Sequence, residues 1–384
     1  MSVAIIPPNL DPNGQTDSVA TINATISSVS AAGGGTVGLP RGIYLAAADT
    51  LRLKSNVRLQ GEDQNLTTIK LGPGRNSNLV VGPNSLASPL IGATIEDICF
   101  DGNAAAQQAA FYTIGLQHIS NFRMVGVRCI NPWSTSLWIN EDDQGGGTPG
   151  VPNKPYGTYF NSDVTIERCQ FSQLGVPAAR GGGDHVVLGR IRGLRAIGNK
   201  FVGGSQNGLA VQFCTDFKLL ANTVSDFWRG IYLESCISGT IAQNTVTRLG
   251  SPDPQIGLAT AHGIWLTSAD DTYGVNAGYA GCQDVLVAQN VVASLSPQNG
   301  AGVAGVRVTD YGPGIRMAWN NVVTDNLISW LMPSSGTAMS CGAWMDARGH
   351  GNVLNGNRMS GVRSAKILSA HATQIMMGTN FEGS

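Results

Sequence analysis

The sequence predicts an all-β protein built as a parallel β-helix, in which successive coils of the chain stack on one another. Three observations predict this fold. Glycine is abundant while charge is scarce, an asparagine-containing phrase recurs at intervals of 22 residues or more, and a glycine-led phrase recurs beside it. Each coil of such a repeat buries only part of its apolar surface, so stacking builds one continuous core.

The composition disfavours several other classes. The 384 residues include 50 Gly and only 13% are charged, so the chain lacks the Glu and Lys content of a helical bundle. Glycine does not recur at every third position, as collagen requires. A hydrophobic content of 42% with a net charge of -1 argues against disorder. A pI near 6.5 gives no general attraction to nucleic acid or to anionic membranes, so neither is expected as a partner.

The sequence shows no targeting or membrane signal. No run approaches 18 apolar residues, so no membrane span is expected. The first residues, Met1 to Pro8, have no basic region and only a short apolar run, so no signal peptide is visible. We therefore expect an extracellular protein that has lost its signal, or one that leaves its cell by another route, for example on a virion.

The asparagine phrase sets the length of one coil. It reads Ile197-Gly-Asn-Lys-Phe201 at its first full occurrence, and Cys169 occupies the same slot one repeat earlier. The first three asparagines are 23 and 22 residues apart, and wider gaps later are expected to hold enlarged turns. Stacked asparagines can bond amide to amide, so we expect a ladder along the core. Its predicted members are Asn199, Asn222, Asn244, Asn290, Asn321 and Asn357.

The glycine-led phrase predicts which side chains face outward. The first and third residues after each glycine are apolar and are expected to point inward, so the second and fourth point outward. One outward column reads Trp138, Val187, Ala210, Tyr232, Trp265, Arg307 and Trp344. The other reads Asn140, Gly189, Gln212, Glu234, Thr267, Thr309 and Asp346. Arg229, His262 and Asn207 share the slot before the glycine and are expected to be neighbours.

The N-terminal 100 residues carry a resemblance to a known family. Asp11 to Asp17 lead into a short amphipathic segment, Ser18 to Ala32, which is followed by Pro40-Arg-Gly-Ile-Tyr44 and Ile95-Glu-Asp-Ile-Cys-Phe-Asp-Gly-Asn103. This resembles the pectate-lyase-like superfamily, although Pro-Asn-Gly stands where that family usually has Gly-Asp-Gly. The resemblance implies a right-handed parallel β-helix with an N-terminal capping α-helix. It also implies activity on polysaccharides and, if the chain is of the phage tailspike type, a homotrimer.

The expected organisation is a single domain. Residues 1–45 form the cap and first strand, residues 46–373 the coils, and residues 374–384 a C-terminal tail. The seven cysteines are odd in number and form no CxxC pair, so buried, reduced thiols are expected. No cofactor is predicted.

The outward columns suit a sugar chain, because aromatic rings cover the apolar faces of sugars while polar groups bond the hydroxyls. The expected substrate-binding residues are Trp138, Arg229, Tyr232, His262, Trp265, Arg307, Trp344 and Asp346. Glycoside hydrolysis uses two carboxyl groups, and the candidate acids are Glu234, Asp270, Asp271 and Asp310. The leading prediction is therefore a glycoside hydrolase that acts on a surface or capsular polysaccharide, and the family resemblance implies the tailspike or depolymerase type.

Other interpretations stay open at this stage. The aromatic side chains could pack under long turns or against a neighbouring subunit. Asp270 and Asp271 could form a solvated turn or a calcium site. Arg229, His262 and Arg307 could serve a lyase, epimerase or glycan transferase, and Asp184 with His185 is a weaker acid–base candidate. A non-catalytic glycan-binding or structural β-helix is the remaining alternative.

Overall fold

A computed structural model describes residues 4–109, 111–140, 161–173, 184–204, 206–248, 261–268, 281–295, 302–309, 318–331, 340–346, 349–362, 365–369 and 375–382. The chain is a right-handed parallel β-helix with one N-terminal α-helix, as predicted. In the described residues the strands form three long sheets, called sheet 1, sheet 2 and sheet 3, and a typical coil contributes one strand to each in that order.

The strands of each sheet pair in parallel with the coil before and the coil after. Sheet 1 contains Leu51–Arg52, Val80–Val81, Tyr112–Leu116, Thr135–Ile139, Val186–Gly189, Asn207–Gln212, Arg229–Glu234, Ala261–Thr267, Val303–Thr309, Ser340–Asp346 and Ala365–Ser369. Sheet 2 contains Gly35–Leu39, Val57–Gly61, Leu90–Ile91, Thr94–Glu96, Ile119–Val125, Asn161–Glu167, Ile191–Ile197, Thr215–Leu220, Ile237–Ala242, Gln283–Ala288, Val322–Thr324, Asn352–Asn355 and Ile375–Met377. Sheet 3 contains Asn13–Asp17, Gly42–Ala46, Thr67–Leu71, Cys99–Asp101, Arg128–Ile130, Gln170–Ser172, Lys200–Val202, Thr223–Ser225, Thr245–Thr247, Val291–Leu295, Leu327–Leu331, Arg358–Val362 and Phe381–Glu382. A short 3₁₀ helix spans Ala104–Ala106.

The α-helix spans Val19–Ala31, inside the predicted segment. Its buried residues are Val19, Ile22, Ile26 and Val29, whose spacing places them on one face of the helix. That face covers the first coil, so the open end of the apolar core is closed. The helix ends at a glycine pair with positive φ, where the N–H of Gly34 donates to the carbonyl of Val29.

The glycine-led phrase is explained by the core. The first and third residues after each glycine are fully buried in all five late coils, as predicted. The glycines themselves face sheet 3 across the core: a Cβ added at Gly230 would lie 2.3 Å from Cγ1 of Val246, and one at Gly263 would lie 2.3 Å from Cγ1 of Val292. Any larger residue would collide there, so glycine recurs coil after coil.

The recurring asparagines form a ladder at the corner between sheets 2 and 3. Each amide nitrogen donates to the amide oxygen of the next member over 2.8 to 3.1 Å, and that oxygen also accepts the backbone N–H of the previous member. The N–H of Cys169 enters the ladder the same way, at 2.9 Å from Oδ1 of Asn199. The ladder runs through Asn199, Asn222, Asn244, Asn290, Asn326, Asn357 and Asn380.

The prediction is wrong for one rung, because Asn326 and not Asn321 follows Asn290. The strand Val322–Thr324 of sheet 2 separates the two asparagines, so Asn321 lies at the preceding corner. There its amide nitrogen donates to Oδ1 of Asn352 over 3.0 Å, which makes a second, shorter ladder. Both ladders satisfy amides that would otherwise be buried without partners.

The structure bears on two further predictions, one for the C-terminal residues and one for the cysteines. Residues 375–382, expected within a tail, instead contribute strands to sheets 2 and 3, and Asn380 accepts the N–H of Asn357 at 3.1 Å, so the ladder continues to the last coil. All seven cysteines are buried and none forms a disulfide, as expected. Burial raises the pKa of thiols such as Cys236 and Cys282 far above the ordinary value, so they stay protonated.

Candidate functional site

The outer face of sheet 1 carries both columns that the glycine phrase predicted. The strand registers align the first column from Trp138 to Trp344 without a break. They also align Gly189 with Gln212, Glu234 and Thr267 in the second column, and Thr309 with Asp346 further on. Equivalent positions on successive coils are about 4.8 Å apart. This surface is called the sheet 1 face below.

Arg229 lies among three aromatic rings of the sheet 1 face. Its guanidinium carbon is 3.8 Å from the ring centre of Trp228, 4.5 Å from that of Trp265 and 5.2 Å from that of Tyr232. Tyr232 and Trp265 meet edge to face at 5.4 Å. Contacts between a guanidinium and the faces of aromatic rings stabilise the cation and restrict its orientation.

A second arginine lies next to the first. The guanidinium carbon of Arg307 is 3.8 Å from the ring centre of Trp344 and 5.1 Å from that of Trp265. Its Nη1 is 3.3 Å from Nε2 of His262, and the register places His262 beside Arg229, as predicted. Burial lowers the pKa of His262 well below the usual range, and the charges of Arg307 and Arg229 lower it further. His262 is therefore a neutral imidazole between two cations.

Glu234 ends its strand as a carboxylate that is only 3% exposed. Nε2 of Gln212, one coil earlier, donates to its Oε2 over 2.8 Å, and Nδ2 of Asn140 reaches Oε1 of Gln212 at 3.4 Å. Gly189 lies between Asn140 and Gln212 in the column, where a Cβ would be 2.3 Å from Cγ of Asn140. Because Gly189 has no side chain, the amides of Asn140 and Gln212 can meet and orient the carboxylate of Glu234.

The later coils continue this polar column with hydroxyl groups. Nε1 of Trp265 donates to Oγ1 of Thr309 over 2.9 Å, and Thr309 in turn donates to Oγ1 of Thr267 over 3.3 Å. Trp265 is only 5% exposed although it faces outward. Asp346 is a strand residue in register with Thr309, three coils beyond Glu234.

The early coils extend the aromatic surface. Trp138 stacks on Tyr112 with the ring centres 5.0 Å apart and the planes 6° from parallel. Both rings are half-buried, so one edge of the pair stays open to solvent. The seven-residue column therefore has aromatic groups at both ends, separated by the small side chains of Val187 and Ala210.

Asp184 and His185 do not form a pair, because their side chains lie on opposite sides of the sheet. Asp184 accepts a hydrogen bond from Nδ2 of Asn207 on the outer face, and burial raises its pKa to about 6 despite the nearby charge of Arg229. His185 is fully buried in the core, where its Nδ1 is 3.2 Å from Oγ of Ser136. Burial lowers its pKa to about 4.

Three of the predicted acids, Asp270, Asp271 and Asp310, lie outside the described residues. In the described ranges, no three His, Cys, Asp or Glu side chains are grouped in a way that could hold a metal ion. Sequence reasoning missed Trp228 and Tyr112 as members of the face. Trp228 directly precedes Arg229 in the sequence, and Tyr112 precedes a shorter version of the glycine-led phrase. A search for aromatic residues that flank the glycine-led phrase would have found both.

The part of the chain that the structure describes contains no helix long and apolar enough to cross a bilayer.

Residues 8–251 match the model of a family described as rhamnogalacturonase A/epimerase, pectate lyase-like. A curated relative is the SPbeta prophage-derived uncharacterized protein YomE of Bacillus subtilis, 27% identical over 140 residues. That match covers 34% of this chain and about a fifth of the relative's length.

Two solved structures illustrate the similarity of fold. The A-module of the mannuronan C-5 epimerase AlgE6 of Azotobacter vinelandii has a TM-score of 0.67 and 15% identity, covering 98% of both chains. The tailspike protein of E. coli bacteriophage HK620 has a TM-score of 0.60 and 15% identity, covering 97% of this chain and 62% of its own. At these identities the likeness is one of fold.

Proposed function

The chain belongs to the rhamnogalacturonase A/epimerase, pectate lyase-like family, and on that premise we propose that it is a glycoside hydrolase that cleaves a polysaccharide on the sheet 1 face. The observation that carries the proposal is Glu234, a buried carboxylate held by Gln212 and neighboured by an outward row of aromatic rings. Glu234 supplies one of the two carboxyl groups of the reaction. Asp270, Asp271 and Asp310 are the candidates for the second.

We further propose that the polysaccharide is anionic. Arg229 and Arg307 flank a neutral His262, and the guanidinium of each arginine lies over a tryptophan ring. Two cations close together in a largely covered surface favour an anion, and guanidinium groups match the planar geometry of a carboxylate. The aromatic rings of Tyr232 and Trp344 supply the apolar contact for sugar rings.

Chain shortening of acidic polysaccharides tests the hydrolase. Glu234→Gln keeps the shape and the hydrogen-bonding row but removes the charge, and we expect a loss of roughly 10²–10⁴-fold in the release of reducing ends. Glu167→Gln is the matched control, because Glu167 lies on the outer face of sheet 2. Asp270→Asn, Asp271→Asn and Asp310→Asn identify the partner. Undiminished cleavage in every acid variant would overturn the assignment.

A uronate lyase or epimerase is the second candidate, and the contact between His262 and Arg307 favours it. Such enzymes remove the C5 proton of a uronate with a base while a cation stabilises the resulting charge. In that reaction neutral His262 is the candidate base, and the two arginines are the candidate cations. A lyase would yield unsaturated products that absorb in the ultraviolet, an epimerase would place deuterium from D₂O at C5, and a hydrolase would do neither.

We also propose an extracellular or virion-associated homotrimer. The late coils support association between copies of the chain, because outward positions become apolar there. On sheet 2 the column that reads Arg195, Lys218 and Thr240 continues as Leu286, Val322 and Val353. Leu286 is 37% exposed, and Leu327 on sheet 3 is 44% exposed. An apolar strip that crosses the corner between two sheets suits a contact with a second copy.

A further inference from the structure

A cavity of about 220 Å³ opens at the corner between sheets 1 and 2, away from the sheet 1 face. Its lining includes Pro89, His118, Ser120, Ser162 and Arg192. Ser120, Ser162 and Arg192 are aligned on three successive strands of sheet 2. The cavity exists because serines occupy two of these positions, whereas an isoleucine, Ile91, precedes them in the same column.

The cavity presents hydroxyl groups, a cation and an apolar wall. The Oγ atoms of Ser120 and Ser162 are 2.9 Å apart, so one hydroxyl donates to the other and the second proton is left for another acceptor. Arg192, an exposed cation, is among the lining residues, and Pro89 supplies apolar surface. Ligand sites for drug-sized molecules measure roughly 300–1,000 Å³, so this smaller cavity suits one sugar residue better than an oligosaccharide.

The floor of the cavity is held rigidly. The side chain of Asn161 is buried, its Oδ1 accepts the N–H of Ile119 at 3.0 Å, and its Nδ2 donates to the carbonyl of Gly189 at 3.1 Å. The amide thus ties three consecutive coils together at this corner. A site preformed in this way needs little ordering when a ligand binds.

The position relates the cavity to the sheet 1 face. Gly189 lies two coils before Glu234 in the same column, about 10 Å away along the stack. From Gly189 the chain turns through Arg190 and Ile191 directly to Arg192. The cavity is thus one corner away from the sheet 1 face, on the side of the early coils.

We infer that this corner cavity binds a single carboxylate-bearing sugar residue, remote from the reacting bond, with its hydroxyls on Ser120 and Ser162 and its carboxylate on Arg192. The inference rests on the proposed function for the class of ligand. It adds a second glycan contact to the chain, one that holds substrate without taking part in the chemistry.

Saturation-transfer NMR with single uronic acids tests the inference, with neutral hexoses, acetate and inorganic sulfate as comparison ligands. The protein is used as wild type and as Glu234→Gln. We expect uronic acids to bind both forms, and Ser162→Leu, which fills the cavity, to weaken binding at least about tenfold. Arg192→Met should weaken uronic acids more than neutral hexoses. Thr165→Leu is the control, since Thr165 is on the same strand but outside the cavity lining.

Several outcomes would overturn the inference. Unchanged binding in Ser162→Leu, loss of binding in Trp265→Ala instead, equal competition by acetate or sulfate, or no binding of any sugar would each do so. A failure of the proposed function looks different. In that case no polysaccharide would be shortened by the wild type, while uronic acid binding that is sensitive to Ser162→Leu would persist.

Discussion

The asparagine ladder makes the sharpest prediction about stability. Asn244 is a central rung: its Nδ2 donates to the carbonyl of Leu219 and to Oδ1 of Asn290, both at 2.9 Å. Its Oδ1 accepts the backbone N–H and the Nδ2 of Asn222, also at 2.9 Å. Nδ2 of Asn244 also donates to the carbonyl of Ala242 over 3.1 Å. The substitution Asn244→Ala removes all five hydrogen bonds from a fully buried site.

The expected loss follows from which groups keep a partner. Nδ2 of Asn222 still donates to the carbonyl of Ala196, and Oδ1 of Asn290 still accepts the N–H of residue 244. The N–H of Asn222 loses the acceptor it has here, and a buried unpaired donor costs about 1–3 kcal/mol. With four further bonds of about 1 kcal/mol each, the free energy of unfolding should fall by about 5–7 kcal/mol. Typical total stabilities are only about 5–15 kcal/mol.

Urea unfolding, followed by tryptophan fluorescence and checked for reversibility, measures this loss. Asn355→Ala is the matched control, since Asn355 is an exposed asparagine outside the ladder, and its effect should stay within about 0.5 kcal/mol. Asn244→Asp should be worse than Asn244→Ala at neutral pH and recover in acid, because only the protonated carboxyl can donate. If Asn244→Ala lost no more stability than Asn355→Ala, the ladder would not be the buried network described above.

Three other predictions concern pH, substrate charge and association. The pKa of buried His185 is lowered from 6.5 to about 4, so the free energy of unfolding should fall by about 3 kcal/mol as the pH falls from 6.5 to 4. His185→Phe should abolish this loss of stability. Arg307→Met should raise KM for an anionic glycan about 10–100-fold, as expected for loss of a charged hydrogen bond, and weaken its salt dependence. The double variant Leu286→Lys, Leu327→Lys should dissociate the proposed trimer, as measured by light scattering.

Each of these has a result that contradicts it. The pKa of Asp184 is raised to about 6, which makes stability depend on pH in the sense opposite to His185, whereas the lowered pKa of His262 acts in the same sense as His185. Only the difference in stability between wild type and His185→Phe therefore isolates the contribution of His185. A difference that does not change between pH 4 and 6.5 would refute the assignment. Equal effects of Arg307→Met on neutral and anionic glycans would remove the argument for charge. A wild type that is monomeric at all concentrations would remove the proposed trimer.

The sequence was sufficient to predict the fold and the outward columns, because both depend on alternation within a strand and on a repeated glycine. It was not sufficient to predict which asparagine follows Asn290 in the ladder. Asn321 and Asn326 both precede a short run of apolar residues, and the sequence does not state which corner each one occupies. The choice is made by the strand Val322–Thr324, which the structure inserts between them.

The site could be predicted in part for the same reason. The register required that Tyr232, Trp265 and Arg307 be neighbours, and they are. Burial could not be predicted, because Trp265 points away from the core and is nevertheless covered. The neutral state of His262 depends on that covering and on two arginine charges from adjacent coils. These are properties of side chains that meet across coils, and a sequence read one coil at a time does not contain them.

In a β-helix the inward positions are constrained by the coils above and below, whereas each outward position can change with little effect on its neighbours. Function is therefore expected where the residue type in an outward column changes abruptly from one coil to the next. On sheet 1 the change comes after Ala210, where Tyr232, Trp265, Arg307 and Trp344 follow in succession. The buried carboxylate of Glu234 lies at the same change, two residues after Tyr232 on the same strand. Aromatic, cationic and acidic groups thus occur together within one coil, an arrangement that fits the proposed glycan site and that packing of the core alone does not explain.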